Sequence, residues 1–409
     1  VTNEKKNIVL LTTWYPPLQS IAVNRMVAFA KYLDHSRFKV TVVTIGDKNI
    51  SGLSQEDYAT VYRIKPSGSL WNPKFKSSDS KIWHYAKVAW KKVGIKMRGD
   101  ELSFYVKEAS KFLEDWHKKN KIDLLISSFS PAAPHLVGLA FCKKHAVKWI
   151  VDMRDEMSLN PQSDATVRKY YAAIEHEINE YASALTSVSQ PIVDYFKTVI
   201  PDLRKYVEIR NGFDHELTRI DYNFNETFTL LHAGSFYGTR KPDSLLKALV
   251  NLDNQKKLPE KWKFLCAGAV KNFSIPDALK SHVEILERVS HSDSLSLMTS
   301  ADLTVLIQPP TGRKGVYTGK VFEYLAAQKP ILAIVDTTDV AANLIREMDA
   351  GYVADFSDVT AIENAILVAV ENWQKKLPLQ TNPERINTLH RKYQVQKLNL
   401  LIENLLDET

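Results

Sequence analysis

Three stretches of the 409-residue sequence carry side chains whose types and spacing can do chemistry. In the first, Leu231-His232-Ala233-Gly234-Ser235 runs on to Thr239-Arg240-Lys241-Pro242. A small-residue turn at a strand end, two cations and a helix start make a seat for a diphosphate, since helix-terminal amides and guanidinium groups both favour anions. Taken alone, the same residues fit a plain strand–helix loop with a solvated Arg240–Lys241 pair somewhat better. The second stretch, from Gly315 through Gly319, Lys320 and Glu323 to Pro330, is a glycine-bearing loop feeding a helix. Its amides and Lys320 can face phosphate, and Glu323 can accept from a vicinal diol, or it can simply complement the helix dipole. In the third, Ser128-Phe129-Ser130-Pro131 leads to His135, and Asp152-Met153-Arg154-Asp155 follows at the next strand end. One His and two Asp at consecutive strand ends belong on the rim of a cleft, although a lone His also serves as a satisfied structural residue.

Other chemistries are excluded. No G-x-G-x-x-G follows a strand, and no HExxH or GxSxG is present. Residues 315–321 imitate a P-loop, but the glycine spacing is short by one and no Ser or Thr follows Lys320. Two cysteines, Cys142 and Cys266, allow neither a disulfide framework nor a four-thiolate zinc site, and their apolar surroundings point to buried thiols. The composition, 44% hydrophobic and 25% charged, is that of a globular chain. With no apolar run of about 18 residues and no signal peptide at the start, a soluble, cytoplasmic protein is expected.

The formal charge is +7, and one segment carries the whole excess: residues 71–121, from Trp71 to Lys121, hold 13 basic and 6 acidic side chains. Ile82, Trp83, Ala86, Ala89, Trp90, Val93 and Met97 share one helical face, with lysines on the rest. That pattern suits an interfacial helix on an anionic membrane, or equally an amphipathic helix docked on its own domain. Nucleic acid is not an expected partner, because no RNP, KH or zinc-finger pattern accompanies the basic residues.

The elements that must position these groups alternate strand and helix through two cycles. Strands are expected at 8–12, 39–44, 61–65, 123–127, 148–151 and 184–187, with helices at 24–34, 167–182 and 191–199 among those between them. The second cycle has strands at 228–232, 263–267, 283–286, 303–307 and 331–335. Its helices lie at 243–252, 292–299, 321–327, 340–347 and 360–372, and a long helical tail spans 384–406. Such alternation implies an α/β chain of two doubly wound, Rossmann-like domains with ligands at the carboxyl ends of the strands. The expected division is 1–205, 206–380 and a C-terminal helix, 381–409, packing back on the first domain.

Taken together these residues resemble the GT-B fold retaining glycosyltransferases of family 4, over nearly the whole chain. Gly319-Lys320-Val321-Phe322-Glu323-Tyr324 through Lys329-Pro330 is similar to that family's donor-site helix, which implies ribose binding by Glu323. His232-Ala233-Gly234 through Arg240 resembles the turn where a basic residue meets the donor diphosphate. Residues 207–214, with Asn211-Gly212-Phe213-Asp214, resemble the inter-domain turn, and Trp14-Tyr15-Pro16-Pro17 with Asn24-Arg25 the first loop. Ser130-Pro131 through His135, with Asp152 to Asp155, resembles the amino-domain wall of members that build bacterial surface polysaccharides. Two positions depart from the pattern: Gly315 stands where the family often has a glutamate, and Ser235 where it often has an arginine. The first removes a carboxylate that reads donor-sugar hydroxyls, which leaves a deoxy- or amino-sugar donor open.

The resemblance implies hexosyl transfer from a nucleoside diphosphate sugar to an acceptor hydroxyl with retention, without a metal or other cofactor. Implied catalytic residues are His135, Asp155, Arg240 and Lys320. Donor contacts fall to Gly234, Ser235, Arg240, Gly319, Lys320 and Glu323, and the acceptor or cleft side to Pro17, Ser20, Arg25, Ser130 and Arg154. A polyprenyl-diphosphate-linked or saccharide acceptor at the inner membrane face is expected, in capsule, O-antigen or exopolysaccharide assembly. A sugar-nucleotide epimerase and a non-catalytic nucleotide-sugar-binding subunit are the alternatives.

Overall fold

A computed structural model describes residues 4–47, 49–66, 102–217, 224–236, 238–269, 273–287, 289–379 and 381–408. The chain divides into two compact units, Val1–Arg210 with Arg391–Thr409, and Asn211–His390.

The first unit contains β1 (Lys6–Leu11), α1 (Ile21–Tyr32), β2 (Phe38–Ile45), β3 (Gly52–Gln55), β4 (Thr60–Ile64) and α2 (Ser103–Lys119). It continues with β5 (Leu124–Phe129), α3 (Ala133–Cys142), β6 (Lys148–Met153), α4 (Ala165–Tyr181), β7 (Ala184–Ser187), α5 (Gln190–Val199) and β8 (Tyr206–Glu208). Its sheet order is β3-β4-β2-β1-β5-β6-β7-β8, parallel except for the antiparallel edge pair β3–β4. The second unit contains β9 (Phe228–Ala233), α6 (Asp243–Asn254), β10 (Trp262–Ala267), β11 (Val283–Leu286), α7 (His291–Ser300) and β12 (Leu303–Ile307). Then come α8 (Gly319–Ala326), β13 (Ile331–Val335), α9 (Val340–Glu347), β14 (Gly351–Asp355), α10 (Val359–Gln374) and the short α11 (Pro383–Asn387). Its sheet, β11-β10-β9-β12-β13-β14, has the third-second-first-fourth-fifth-sixth order of a doubly wound fold. The strand order reverses direction at β1/β5 in one unit and at β9/β12 in the other, and those are the places where such sheets bind ligands.

Burial on both faces explains why these strands read as unbroken apolar runs. In β1, Val9 and Leu11 join the core on one side of the sheet while Ile8 and Leu10 join the other. In β13, Ile331, Ala333 and Val335 face one core and Leu332 and Ile334 the opposite one. The edge strand β3 has a half-exposed Gly-Leu-Ser-Gln sequence with no β-branched residue, so nothing in its composition announces it.

The expected tail helix is two helices. The chain leaves the second unit after α11, where His390 bridges to Phe213, and α12 (Arg391–Asp407) then belongs to the first unit. There Val395, Leu398, Leu401, Ile402 and Leu405 pack in one core with Met26, Phe29 and Leu33. Asn399 caps the end of α1, its Nδ2 donating to the Tyr32 carbonyl at 3.3 Å while its Oδ1 accepts from the Asp34 amide at 3.1 Å.

The amphipathic helix expected at 82–97, with most of the basic segment, lies outside the described residues. The remainder of that segment forms α2, which buries Tyr105, Ala109 and Leu113 against its own unit. Among the described residues no helix is long and apolar enough to cross a membrane.

Candidate functional site

In the second unit, a chamber of about 620 Å³ opens at the carboxyl ends of β9, β10 and β11 and is closed by α7 and α8. Gly234, Ser235, Lys320 and Glu323 line it, so four of the residues expected to hold a donor converge there. The β9 chain turns at Gly234 with φ of 142°, and the Lys320 side chain lies across it. An ideal Cβ on Gly234 would stand 1.9 Å from Lys320 Cε and 2.3 Å from Nζ. A glycine here is what lets the ammonium rest on the strand end.

Helix α8 brings both charged groups because Lys320 and Glu323 are three residues apart and share one face. Its N-cap, Thr318, makes no side-chain cap hydrogen bond; the Val321 amide donates to the Thr318 carbonyl at 3.3 Å, and the Gly319 and Lys320 amides precede it in the first turn. The helix is pinned to the sheet through Tyr324, whose hydroxyl accepts from the Ala233 amide at 2.8 Å and donates to the Val305 carbonyl at 3.3 Å. Val321, Phe322 and Leu325 anchor its other side in the core.

Burial lowers the Lys320 pKa; the Arg240 guanidinium pushes the same way and Glu323 opposes them. Arg240, half-buried in the loop after β9, lies outside the chamber's lining residues yet is close enough to act on Lys320 and on His232. His232 is 1% exposed, and burial takes its pKa down to about 3, so it is neutral. Its Nδ1 donates to the Val305 carbonyl at 2.9 Å and its ring stacks on Phe236 at 4.2 Å, so His232 braces this loop from beneath.

Gly319 opens α8, half-buried. Gly315 sits at φ of 83°, and its amide donates to Asp339 Oδ1 at 2.8 Å. A residue with a Cβ would be strained in this left-handed turn. The neighbouring Lys314 pairs with Asp336 at 2.5 Å, holding the loop to the β13–α9 connection.

Sequence reasoning missed the far wall of the chamber: Ala267, Gly268 and Ala269 after β10, and Glu287, His291 and Ser294 around the start of α7. The available signal was position alone, since these residues directly follow expected strands.

The first unit departs from expectation at several places. His135 was expected on a cleft rim, but it is 0% exposed and enclosed: Ser127 Oγ lies 2.6 Å from Nδ1, Met153 Sδ 3.3 Å from Nε2, and Trp149 packs at its edge. Burial lowers its pKa to about 3. Arg25 is likewise internal at 3% exposure, forked onto Asp152 with its Nη1 on the Ile209 carbonyl at 2.7 Å. Ser128 and Thr186 complete the Asp152 shell at 2.9 and 2.8 Å, and the Arg25 charge leads in lowering the Asp152 pKa against the opposing effect of burial. This is a buried, saturated ion pair that ties α1 to β5, β6 and β7.

Ser20 caps α1 by accepting from the Val23 amide, and Pro17 is exposed beyond a Pro16 carbonyl held by Arg63 at 3.0 Å. Trp14 Nε1 and Arg154 Nη2 both donate to the Ser130 carbonyl, at 2.8 and 2.9 Å, while Arg154 Nε takes the Phe129 carbonyl at 2.5 Å. The end of β1, the end of β5 and the loop after β6 are thereby locked together. Asp155 is half-buried beside Arg154 in that loop. Buried Glu175, its pKa raised by burial, braces the same loop by accepting from Tyr195 at 2.7 Å and the Ser158 amide at 3.1 Å. Among the described residues no cluster of His, Cys, Asp or Glu could hold a metal ion.

Residues 227–372 match the family model described as glycosyl transferases group 1, a span that contains the whole chamber. No curated protein matches the chain. Among solved structures, sucrose-phosphate synthase from Thermosynechococcus elongatus superposes with a TM-score of 0.68 at 15% identity, covering 99% of this chain and 100% of that one. A glycosyltransferase from Rickettsia africae gives 0.65 at 14% identity, with 99% and 100% covered. Anabaena HepE, solved in complex with UDP and glucose, gives 0.61 at 15% identity over the same shares. At such identities the likeness establishes the fold: two parallel-sheet, Rossmann-like units of the kind found in GT-B glycosyltransferases.

Proposed function

We propose that the protein is a retaining glycosyltransferase that takes its sugar from a nucleoside diphosphate. The observation that carries this reading is the convergence of Gly234, Lys320 and Glu323 on one chamber at the strand ends of the second unit. HepE, of like fold, was solved with UDP and glucose, and the group 1 match over residues 227–372 supports glycosyl transfer.

The chemistry follows from charge. Breaking the bond between sugar and diphosphate builds negative charge on the leaving oxygens. Lys320, Arg240 and the Gly319 and Lys320 amides at the start of α8 stabilise that charge, in a partly buried setting where such interactions are stronger than in water. These two cations supply the countercharge that the reading asks of the protein, so no metal is required by it. The departing diphosphate can accept the acceptor's proton on the same face of the sugar, which gives retention without a dedicated base. Glu323 accepts from the ribose diol, and Ser235 and Gly319 border the phosphates.

The acceptor is assigned to the first unit, where Pro17, Ser130, Arg154 and Asp155 are the candidates. His135, Arg25 and Ser20 act there as structural supports. A polyprenyl-linked or saccharide acceptor in surface-polysaccharide assembly, at the cytoplasmic membrane face, completes the proposal.

Transfer assays with nucleotide sugars and lipid-linked acceptors test it. Arg240→Ala and Lys320→Ala are each expected to lower the rate by about 100-fold or more, and the anomeric proton of the product is expected to show retained configuration. Near-full transfer by Arg240→Ala refutes the assignment. A free epimerised sugar formed without acceptor identifies an epimerase instead.

A further inference from the structure

Strand order sets which walls of the chamber are left for a base once the diphosphate and pentose are placed. With the diphosphate at the end of β9 and the pentose at Glu323, the wall that remains is built from the ends of β10 and β11 and the first turn of α7. A base lying against that wall would be bordered by Gly268, Ala269, Glu287, His291 and Ser294. Ala269 and Gly268 present only backbone and a methyl, leaving room for a flat ring. The Ser290 hydroxyl is spent locally, donating to Asp293 Oδ2 at 2.7 Å and accepting from the Asp293 amide at 3.1 Å. Glu287, exposed at the end of β11, is the one carboxylate besides Glu323 among the chamber's lining residues.

An ionised carboxylate only accepts hydrogen bonds, and it accepts two side by side. Guanine offers two adjacent donors, N1–H and the N2 amino group. Adenine and cytosine each offer a single amino group next to an acceptor. Uracil offers one N–H between two carbonyl oxygens, and a carboxylate repels both. We infer that the donor is a guanosine diphosphate sugar, with Glu287 reading the N1–H and N2 edge of the base. This inference rests on the chamber being the nucleotide site.

Titration calorimetry of the full chain with GDP, UDP, ADP and CDP tests it, with Glu287→Gln and Lys320→Ala alongside. One good bidentate pair corresponds to roughly tenfold discrimination or more. GDP is expected to bind at least about tenfold tighter than UDP, and Glu287→Gln is expected to abolish that preference. Because Glu287 is exposed, the variant is expected to keep the wild-type melting temperature, which is measured in parallel. UDP binding as tightly as GDP, with binding lost in Lys320→Ala, overturns the guanine assignment and leaves the diphosphate site standing. A GDP preference that survives Glu287→Gln overturns the role of Glu287. Absence of binding by all four nucleotides overturns the underlying site reading as well.

Discussion

Replacing Gly234 by alanine tests the donor site at its tightest point. The new methyl would fall 1.9 Å from Lys320 Cε and 2.3 Å from Nζ, far inside van der Waals contact. The obstructing atoms are the far end of a flexible side chain, so the lysine swings away and the fold survives. The backbone does not escape so easily, because φ of 142° is a conformation that residues with a Cβ rarely adopt. Such strain costs about 1–3 kcal/mol, which for a unit of this size lowers the melting temperature by roughly 2–12 °C. The functional loss is separate. A displaced ammonium forfeits a charge-assisted hydrogen bond to the diphosphate, about 1.5–3 kcal/mol, or roughly 10- to 150-fold in affinity. Calorimetric titration of nucleoside diphosphate into wild type, Gly234→Ala, Lys320→Ala and the double variant separates the two effects. If the methyl acts through the lysine, Gly234→Ala adds little to the affinity loss once Lys320 is gone. Wild-type affinity in Gly234→Ala refutes this reasoning, as does an equal loss in both backgrounds.

Two further outcomes concern stability. Asp152→Ala strands Arg25 in the interior and is expected to cost the first unit about 3–5 kcal/mol, read from the urea midpoint; a loss below about 1 kcal/mol means the pair is not desolvated as described. The neutral histidines set an acid limit. The folded pKa of His135 and that of His232 are each about 3, against an ordinary 6.5, so between those values the unfolded chain binds protons that the folded chain refuses. Their contribution to stability is complete above pH 6.5 and drains away as pH falls toward 3. The raised pKa of Glu175 works the other way, since the folded state there binds its proton first. Melting temperatures of wild type and His135→Gln from pH 7.5 to 4.5 isolate the histidine, and parallel curves would refute its assignment as a buried neutral group.

Much of the donor side could be read before folding was considered. The apolar runs at 228–232, 303–307 and 331–335 are buried on both faces, and a doubly wound sheet follows from their alternation with helices. Gly234, Lys320 and Glu323 were legible because Gly234 directly follows β9 and the two charged residues lie three apart at the start of α8, where chain direction and helical periodicity fix the site. The first unit was not legible in the same way. His135 and Asp152 also stand near element ends and Arg25 lies in the second turn of α1, but their side chains turn inward to Ser127, Ser128 and Thr186 on neighbouring strands and to Ile209 just past β8.

Local sequence carries no record of which polar partners lie across a sheet, so whether a polar residue faces ligand or interior is settled only when strands from distant positions pair. The same holds for Glu287, which borders the chamber because β11 lies two strands from β9. It holds for the tail too, where helical periodicity continues through 388–390 while the chain passes from one unit's core to the other's. Periodicity and strand-end chemistry are short-range properties that the amino-acid order determines by itself. Burial and partnership are long-range, and only the folded sheets decided them.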